Sequence, residues 1–177
     1  MKVTATKLKG VLILEPEVYE DDRGHFFESW NEWSFNKATG LDVTFVQDNQ
    51  SSSKKGVLRG LHYQKSPHAQ GKLVRVLCGE VFDVVVDIRP DAPTFKDWLG
   101  VNLSEENKKQ LWIPEGLAHG FIALEDESVV FYKATARYSP ESEGQLHWKD
   151  SSISINWPLR GIGDPMLSAK DDSANGL

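Results

Sequence analysis

The chain has 177 residues, 40% hydrophobic and 26% charged, with six tryptophans, one cysteine and a formal net charge of −6. That apolar content excludes a disordered chain, and 26 acids against 20 bases exclude a protein that coats nucleic acid, which needs a basic face. The opening MKVTATKLKGVLIL holds only four consecutive apolar residues, too few for a membrane span or the core of a signal peptide.

A soluble, cytoplasmic protein of one domain, residues 1–177, is the expectation. Glycine and proline punctuate short apolar runs rich in β-branched and aromatic residues, which is a strand signal. In chain order these are Val11–Leu14 and His25–Trp30, then a short helix over Asn31–Thr39 stopped by Gly40, then Val43–Asn49 and Val57–Tyr63. Leu73–Leu77 and Val81–Ile88 follow, joined through Gly79 and read as a tight hairpin. Trp98–Leu103, a turn at Glu105–Lys109, Gln110–Ile113, Ala118–Leu124 and Val129–Tyr138 complete the series. About ten short strands at this spacing, with little helix and no repeat, predict an all-β sandwich, barrel or jelly roll. Cys78 lies within Leu73–Val86 and reads as a buried core thiol. From Gly161 onward the chain is polar and rich in Gly, Asp and Ser, and composition alone predicts a frayed tail.

Residues two apart on a strand share a face. Phe26 pairs with Glu28 in this sense, Gln47 with Asn49, and Tyr132 with Tyr138 if that strand runs unbroken. A strand carrying Gln-x-Asn beside aromatics either lines a ligand cavity or faces solvent, and the pattern allows both. The segment Gly56-Val-Leu-Arg-Gly-Leu-His62 is the most unusual. Glycine within a strand marks a bulge or a close backbone approach. Arg59 offers a planar fork suited to phosphate, and His62 exchanges a proton near neutral pH. A histidine alone reads equally as a surface or satisfied core residue; Arg59 beside it favours a site. A second cluster, Pro114-Glu-Gly116 leading to His119, puts a histidine at a strand mouth after a turn.

Two histidines with no His-x-His pair, and no carboxylate in the ten residues after His62, make a poor metal site, so no metal is expected. There is no nucleophile elbow and no glycine-rich phosphate loop opening a helix. What remains is acid–base chemistry with His62 as base, Tyr132 or another hydroxyl as acid and Lys72 as a nearby cation. That set suits proton abstraction beside a carbonyl, although a strand-end lysine such as Lys72 is ordinarily just solvated.

With these residues laid out, the sequence resembles the cupins. Gly56 and His62 match the opening of the first cupin motif; Pro114, Gly116 and His119 match the second. More narrowly it is similar to the dTDP-4-dehydrorhamnose 3,5-epimerases. The shared segments are Asp22-Arg23-Gly24 with Phe26 and Glu28, Val46–Ser51, Val57–His62, Lys72, Asp83–Arg89, Pro114–Phe121, Tyr132-Lys133, Tyr138–Glu143 and Leu167–Asp171. The resemblance implies a cupin-type double-stranded β-helix jelly roll with a few short helices, forming a homodimer and using no cofactor. It implies inversion of dTDP-4-dehydro-6-deoxy-D-glucose at C3 and C5. His62 would be the base, held by Asp171 from a tail folding back toward the active site, Tyr132 the acid on the opposite face, and Lys72 the enolate partner. Arg23, Glu28, Gln47, Asn49, Arg59, His119, Glu143 and Lys170 would contact the nucleotide sugar. Tyr138 would stack on thymine, and Phe26 would join that wall.

Overall fold

In a computed structural model, which describes residues 1–177, the chain forms thirteen short strands and two helices; each of the ten expected runs contributes a strand, and β1, β3 and β13 are strands that the sequence did not suggest. These are β1 (Lys2–Ala5), β2 (Leu12–Glu15), β3 (Tyr19–Asp21), β4 (Gly24–Phe26), α1 (Glu32–Thr39), β5 (Gln47–Ser53), β6 (Leu58–Gln64) and β7 (Lys72–Cys78). They continue with β8 (Glu80–Asp87), β9 (Trp98–Ser104), β10 (Gln110–Ile113), β11 (Leu117–Ala123) and β12 (Ser128–Ala134). A 3-10 turn at Pro140–Ser142, β13 (Glu143–Gln145) and α2 (Ala169–Asp172) end the chain. No helix is long and apolar enough to cross a membrane.

Two antiparallel sheets face each other, one ordered β1-β2-β10-β7-β12-β5 and the other β13-β6-β11-β8-β9. From β5 to β8, and again from β10 to β13, successive strands alternate between the sheets, which is the winding of a jelly roll. The period-two pattern of each strand decides its faces. Val74 and Val76 of β7, Val81 and Val85 of β8, Leu117 and Phe121 of β11 and Val130 of β12 meet between the sheets with Leu103, Leu111 and Ile113. The opposite faces are covered too. Trp148, Ile153 and Trp157 of the C-terminal segment pack on Leu58, Leu61, Val84, Val86 and Ile122. Phe35 of α1 packs on Leu14, Leu73 and Trp112. The helix forms where expected because Asn31 caps it, its side chain accepting from the Ser34 N–H at 3.1 Å, and Gly40 ends it in the left-handed conformation.

Several expectations are corrected. Leu73–Leu77 and Val81–Ile88 do not form a hairpin. One residue is too short a loop to reverse a strand, and Gly79, at φ 71°, instead bends the chain from one sheet to the other. Cys78 sits at this corner and is exposed, not in the core. The expected strand His25–Trp30 stops at Phe26 and pairs only with β3, as a two-stranded ribbon whose residues are all exposed. The strand expected at Val43 begins at Gln47 and runs on to Ser53. β12 ends at Ala134, so Tyr138 lies beyond it. The tail is not frayed: Met166 bridges Val57 in parallel, and Asp171 of α2 is buried.

The most consequential local feature is the pairing of β6 with β11. His119 opposes His62 and Phe121 opposes Arg59, so three steps along β6 match two along β11, a β-bulge. Gly60 stands at φ 114°, and a Cβ there would lie 2.6 Å from the Gly120 Cα and 2.7 Å from the His119 carbonyl oxygen. Because of the extra residue, Arg59 and His62 face the same side although three apart, and Leu58 and Leu61 share the other. Gly60→Ala combines a backbone clash with a disfavoured φ. It is expected to cost about 2–4 kcal/mol of stability and to misplace His62, measurable as a lower thermal midpoint together with lost turnover.

Candidate active site

A cleft of about 390 Å³ opens between the sheets beside the bulge, lined chiefly by polar side chains. Each strand contributes inward-phase residues: Asn49 from β5, Arg59 and His62 from β6, Lys72 from β7, His119 from β11 and Tyr132 from β12. Tyr138, Glu143, Lys170 and Asp171 close it from the C-terminal side.

His62 Nε2 lies 2.5 Å from Asp171 Oδ1. Asp171 is buried, and its other oxygen accepts from the Ser168 hydroxyl at 2.9 Å, while the Ser168 oxygen accepts from the Asp171 N–H at 3.1 Å. A carboxylate on Nε2 favours the neutral tautomer protonated there and leaves Nδ1 to accept a proton. Burial lowers the pKa of His62, with Lys72 acting in the same direction, and together they outweigh the opposing pull of Asp171. The imidazole is therefore a neutral base at neutral pH.

Lys72 is buried, its Nζ 3.4 Å from the His62 carbonyl oxygen and 5.7 Å from the centre of the Tyr132 ring. Burial lowers its pKa to about 8, against the opposing pull of Asp83 and Glu143. The Tyr132 phenol is pushed up by burial and then by Glu143, so it holds its proton. His119 Nε2 lies 2.8 and 3.0 Å from the two oxygens of the fully buried Asp83. Arg59 donates through Nε to the Ser53 hydroxyl at 3.0 Å and through Nη2 to the Ser52 carbonyl at 3.0 Å. At the rim, Glu143 accepts from the Tyr138 hydroxyl at 2.8 Å and from Lys170 Nζ at 2.6 Å. Burial pushes the Glu143 carboxyl up, but those two hydrogen bonds reverse the effect and leave it low. No three His, Cys, Asp or Glu side chains are grouped so as to hold a metal ion.

The fold thus brings together His62, Lys72, Tyr132, Asp171, Asn49, Arg59, His119, Tyr138, Glu143 and Lys170. Gln47 stands just outside the lining, where it donates to the Asn49 side chain at 2.9 Å and accepts from the Tyr138 N–H at 2.8 Å. Arg23, Phe26 and Glu28 are not brought to the cleft. Arg23 pairs with Asp21 in the exposed ribbon, Phe26 is 72% exposed, and Glu28 accepts from Asn31. Sequence reasoning missed Asp83 and Ser168. An acid at an inward phase of the apolar run Val81–Val86 was a signal, because a buried carboxylate requires a partner. Ser168 had only the Ser-x-x-Asp spacing of a helix cap.

The family model described as dTDP-4-dehydrorhamnose 3,5-epimerase matches residues 5–177. A curated dTDP-4-dehydrorhamnose 3,5-epimerase of Salmonella typhimurium is 59% identical over 98% of this chain and 94% of its own length. The crystal structure of a dTDP-6-deoxy-D-glucose-3,5-epimerase from Legionella pneumophila in complex with dTDP-4-keto-L-rhamnose superposes with a TM-score of 0.94, at 50% identity, over 99% of this chain and 92% of that one. A 3'-monoepimerase from Streptomyces bikiniensis, in complex with dTDP-quinovose, superposes with a TM-score of 0.90 at 32% identity, over 97% of this chain and 85% of that one.

The buried lysine has a thermodynamic consequence. Its folded-state pKa of about 8 lies below the ordinary 10.5, so between these values the unfolded chain binds more protons and stability rises with pH; below about 8 the full penalty persists. Lys72→Met is therefore expected to stabilise the fold at pH 7, by up to about 3 kcal/mol, with the gain shrinking as pH rises toward 10.5. Denaturant unfolding of both proteins at pH 7 and pH 10 measures it; equal stability at pH 7 contradicts it.

Proposed function

Because this chain belongs to the dTDP-4-dehydrorhamnose 3,5-epimerase family, we propose that it inverts C3 and C5 of dTDP-4-dehydro-6-deoxy-D-glucose to give dTDP-4-dehydro-L-rhamnose, without metal or redox cofactor. The observation that carries this reading is the convergence of His62, Lys72 and Tyr132 in one cleft, with His62 held by Asp171. C3 and C5 both flank the C4 ketone, so one carbonyl acidifies both C–H bonds. His62 takes the proton through Nδ1, and the C–H electron pair passes into the ring as the C4 oxygen gains negative charge. The Lys72 ammonium stabilises that oxygen, and the Tyr132 phenol returns a proton to the opposite face. Solvent then restores both groups. A raised pKa keeps Tyr132 protonated for this role, and a lowered one keeps His62 neutral.

Arg59 and Lys170 supply positive charge for the pyrophosphate, and Tyr138, 54% exposed at the rim, offers its ring to thymine. Gln47, Asn49, His119 and Glu143 complete the contacts to the nucleotide sugar. Arg23, Phe26 and Glu28 lie away from their own cleft, so their role requires a homodimer in which the partner's Arg23, the partner's Phe26 and the partner's Glu28 reach across. The domain spans residues 1–177 and works in the cytoplasm, a reducing compartment that suits the free, exposed Cys78.

Incubation with the 4-keto sugar nucleotide in heavy water, followed by NMR, tests the reaction. Deuterium at both C3 and C5 with inversion is expected; deuterium at C3 alone assigns the chain to the single-position chemistry of the 3'-monoepimerase that shares its fold, and no exchange rejects both. Lys72→Ala is expected to lower turnover by ~10²–10³, and a change of only a few-fold removes Lys72 as enolate partner. For the shared site, co-expressed His62→Asn and Arg23→Ala chains are expected to recover about a quarter of wild-type activity, since half the dimers are mixed and each mixed dimer holds one intact site of two. Activity no higher than the mean of the separate variants places Arg23 in its own subunit's site or in none.

A further inference from the structure

Tyr138 stands at the cleft rim on chain that has left the sheet. β12 ends at Ala134, and residues 135–139 run on without a strand assignment to the 3-10 turn at Pro140–Ser142. The Tyr138 side chain is largely exposed, so packing does little to place its ring. Its hydroxyl donates to Glu143, which holds one end of the ring and leaves its tilt free. The remaining constraint has to come from the main chain.

That main chain is held by side-chain amides. Gln64, the last residue of β6, is buried and makes three hydrogen bonds. Its Nε2 donates to the Arg137 carbonyl at 3.2 Å and to the His68 carbonyl at 2.5 Å, and its Oε1 accepts from the Ser139 N–H at 2.8 Å. Residues 137 and 139 flank Tyr138, so one side chain grips the backbone on both sides of the ring. Gln70 adds a bond from its Nε2 to the Ala136 carbonyl at 2.7 Å. A carboxamide suits this task because one planar group offers both donor and acceptor, as a neighbouring strand would.

The register strengthens the grip. Gln64 lies directly opposite Glu143 in the β6–β13 pair, so two cross-strand neighbours hold the same tyrosine, one through its backbone and one through its hydroxyl. Although Gln64 and Gln70 line the cleft, every hydrogen bond they make goes to a main-chain group. Both Nε2 hydrogens of Gln64 are taken, and none is left to donate to a ligand.

We propose that Gln64, seconded by Gln70, is a positioning residue for the nucleotide: it presets the Tyr138 ring for the base, and so sets the preference for a nucleoside diphosphate over the diphosphate alone. The inference rests on the stacking role proposed for Tyr138 above and adds what places that ring. A ring already in position gains its stacking without the cost of ordering a loop when the ligand binds.

The test is titration calorimetry with thymidine diphosphate and with inorganic pyrophosphate, beside steady-state kinetics. The proteins are the wild type, Gln64→Met, Gln70→Ala, Tyr138→Ala and the Gln64→Met/Tyr138→Ala double variant. Tyr138→Ala is expected to weaken thymidine diphosphate binding by ~10–100-fold, the range for losing one base stack. Gln64→Met, which keeps the length of the side chain and loses its hydrogen bonds, should weaken it by ~10-fold, and Gln70→Ala, which loses one, by ~3-fold. In both glutamine variants pyrophosphate affinity and kcat should stay within about twofold, so that the loss appears in KM. Once Tyr138 is alanine, Gln64→Met should change thymidine diphosphate binding no further, a coupling that a merely structural role does not produce. Equal losses for the two ligands, full additivity in the double variant, or unchanged thymidine diphosphate binding by folded Gln64→Met beside a weakened Tyr138→Ala overturns this inference alone. If circular dichroism shows that Gln64→Met fails to fold, Gln70→Ala decides, and wild-type thymidine diphosphate binding there overturns it. A Tyr138→Ala variant that binds thymidine diphosphate as the wild type does overturns the stacking role and this inference with it.

Discussion

The approach of β6 to β11 at Gly60 and Gly120 governs the rest of the cleft. The two strands pass so closely there that a Cβ on Gly60 would lie 2.6 Å from the Gly120 Cα, and within that contact β6 takes up one extra residue. A regular strand sends residues three apart to opposite faces. The bulge cancels that rule locally, so Arg59 and His62 both line the cleft while Leu58 and Leu61 both enter the layer under Trp148 and Trp157. One backbone irregularity thus serves the site and the core together. It also sets His62 directly opposite His119, whose own position depends on the buried Asp83.

Around that geometry the cleft works against the stability of the fold. Burying Lys72 costs energy that Asp83 and Glu143 only partly offset, and its pKa falls to about 8. In the proposed mechanism the same burial gives the cation its strength, because a buried charge would act on a developing oxyanion with little screening. The Tyr132 pKa is raised and that of His62 lowered, each chiefly by burial, so one desolvated space suits the proposed acid, which keeps its proton, and the proposed base, which lacks one. Ser168 adds the positional constraint: it starts α2 and also fixes the second oxygen of Asp171, so helix capping and the orientation of the His62 ring share one hydroxyl.

Much of this was legible residue by residue. Runs such as Gln110–Ile113 and Trp98–Leu103 became strands because β-branched and aromatic residues suit a half-buried pleat. Asn31 and Gly40 bounded the helix by capping chemistry that is local to the chain. His62, Lys72 and Tyr132 were identifiable as reactive types, and the family resemblance supplied Asp171. The crossing between sheets at Gly79 was not recoverable, because a strand that folds back and one that crosses to the facing sheet carry the same alternation. Cys78 misled for a related reason: an apolar run specifies burial on average, whereas exposure at the rim depends on where the corner falls.

By itself the sequence determined the all-β class, ten of the thirteen strands, the reactive residue types and the family, since propensity, periodicity and motif are properties of neighbours along the chain. The resemblance pointed to Asp171 on a returning tail, but only the tertiary structure gave the 2.5 Å approach of His62 and Asp171 across 109 residues and the bridge of Met166 to Val57, and only it decided that Lys72 is buried and not solvated. It also decided that Arg23 and Phe26, on a ribbon that pairs with nothing else, and Glu28 just beyond it stand outside their own cleft. Those outcomes depend on which faces the two sheets present to each other. That is settled by long-range packing of the whole core, for which no local stretch of chain carries the energy.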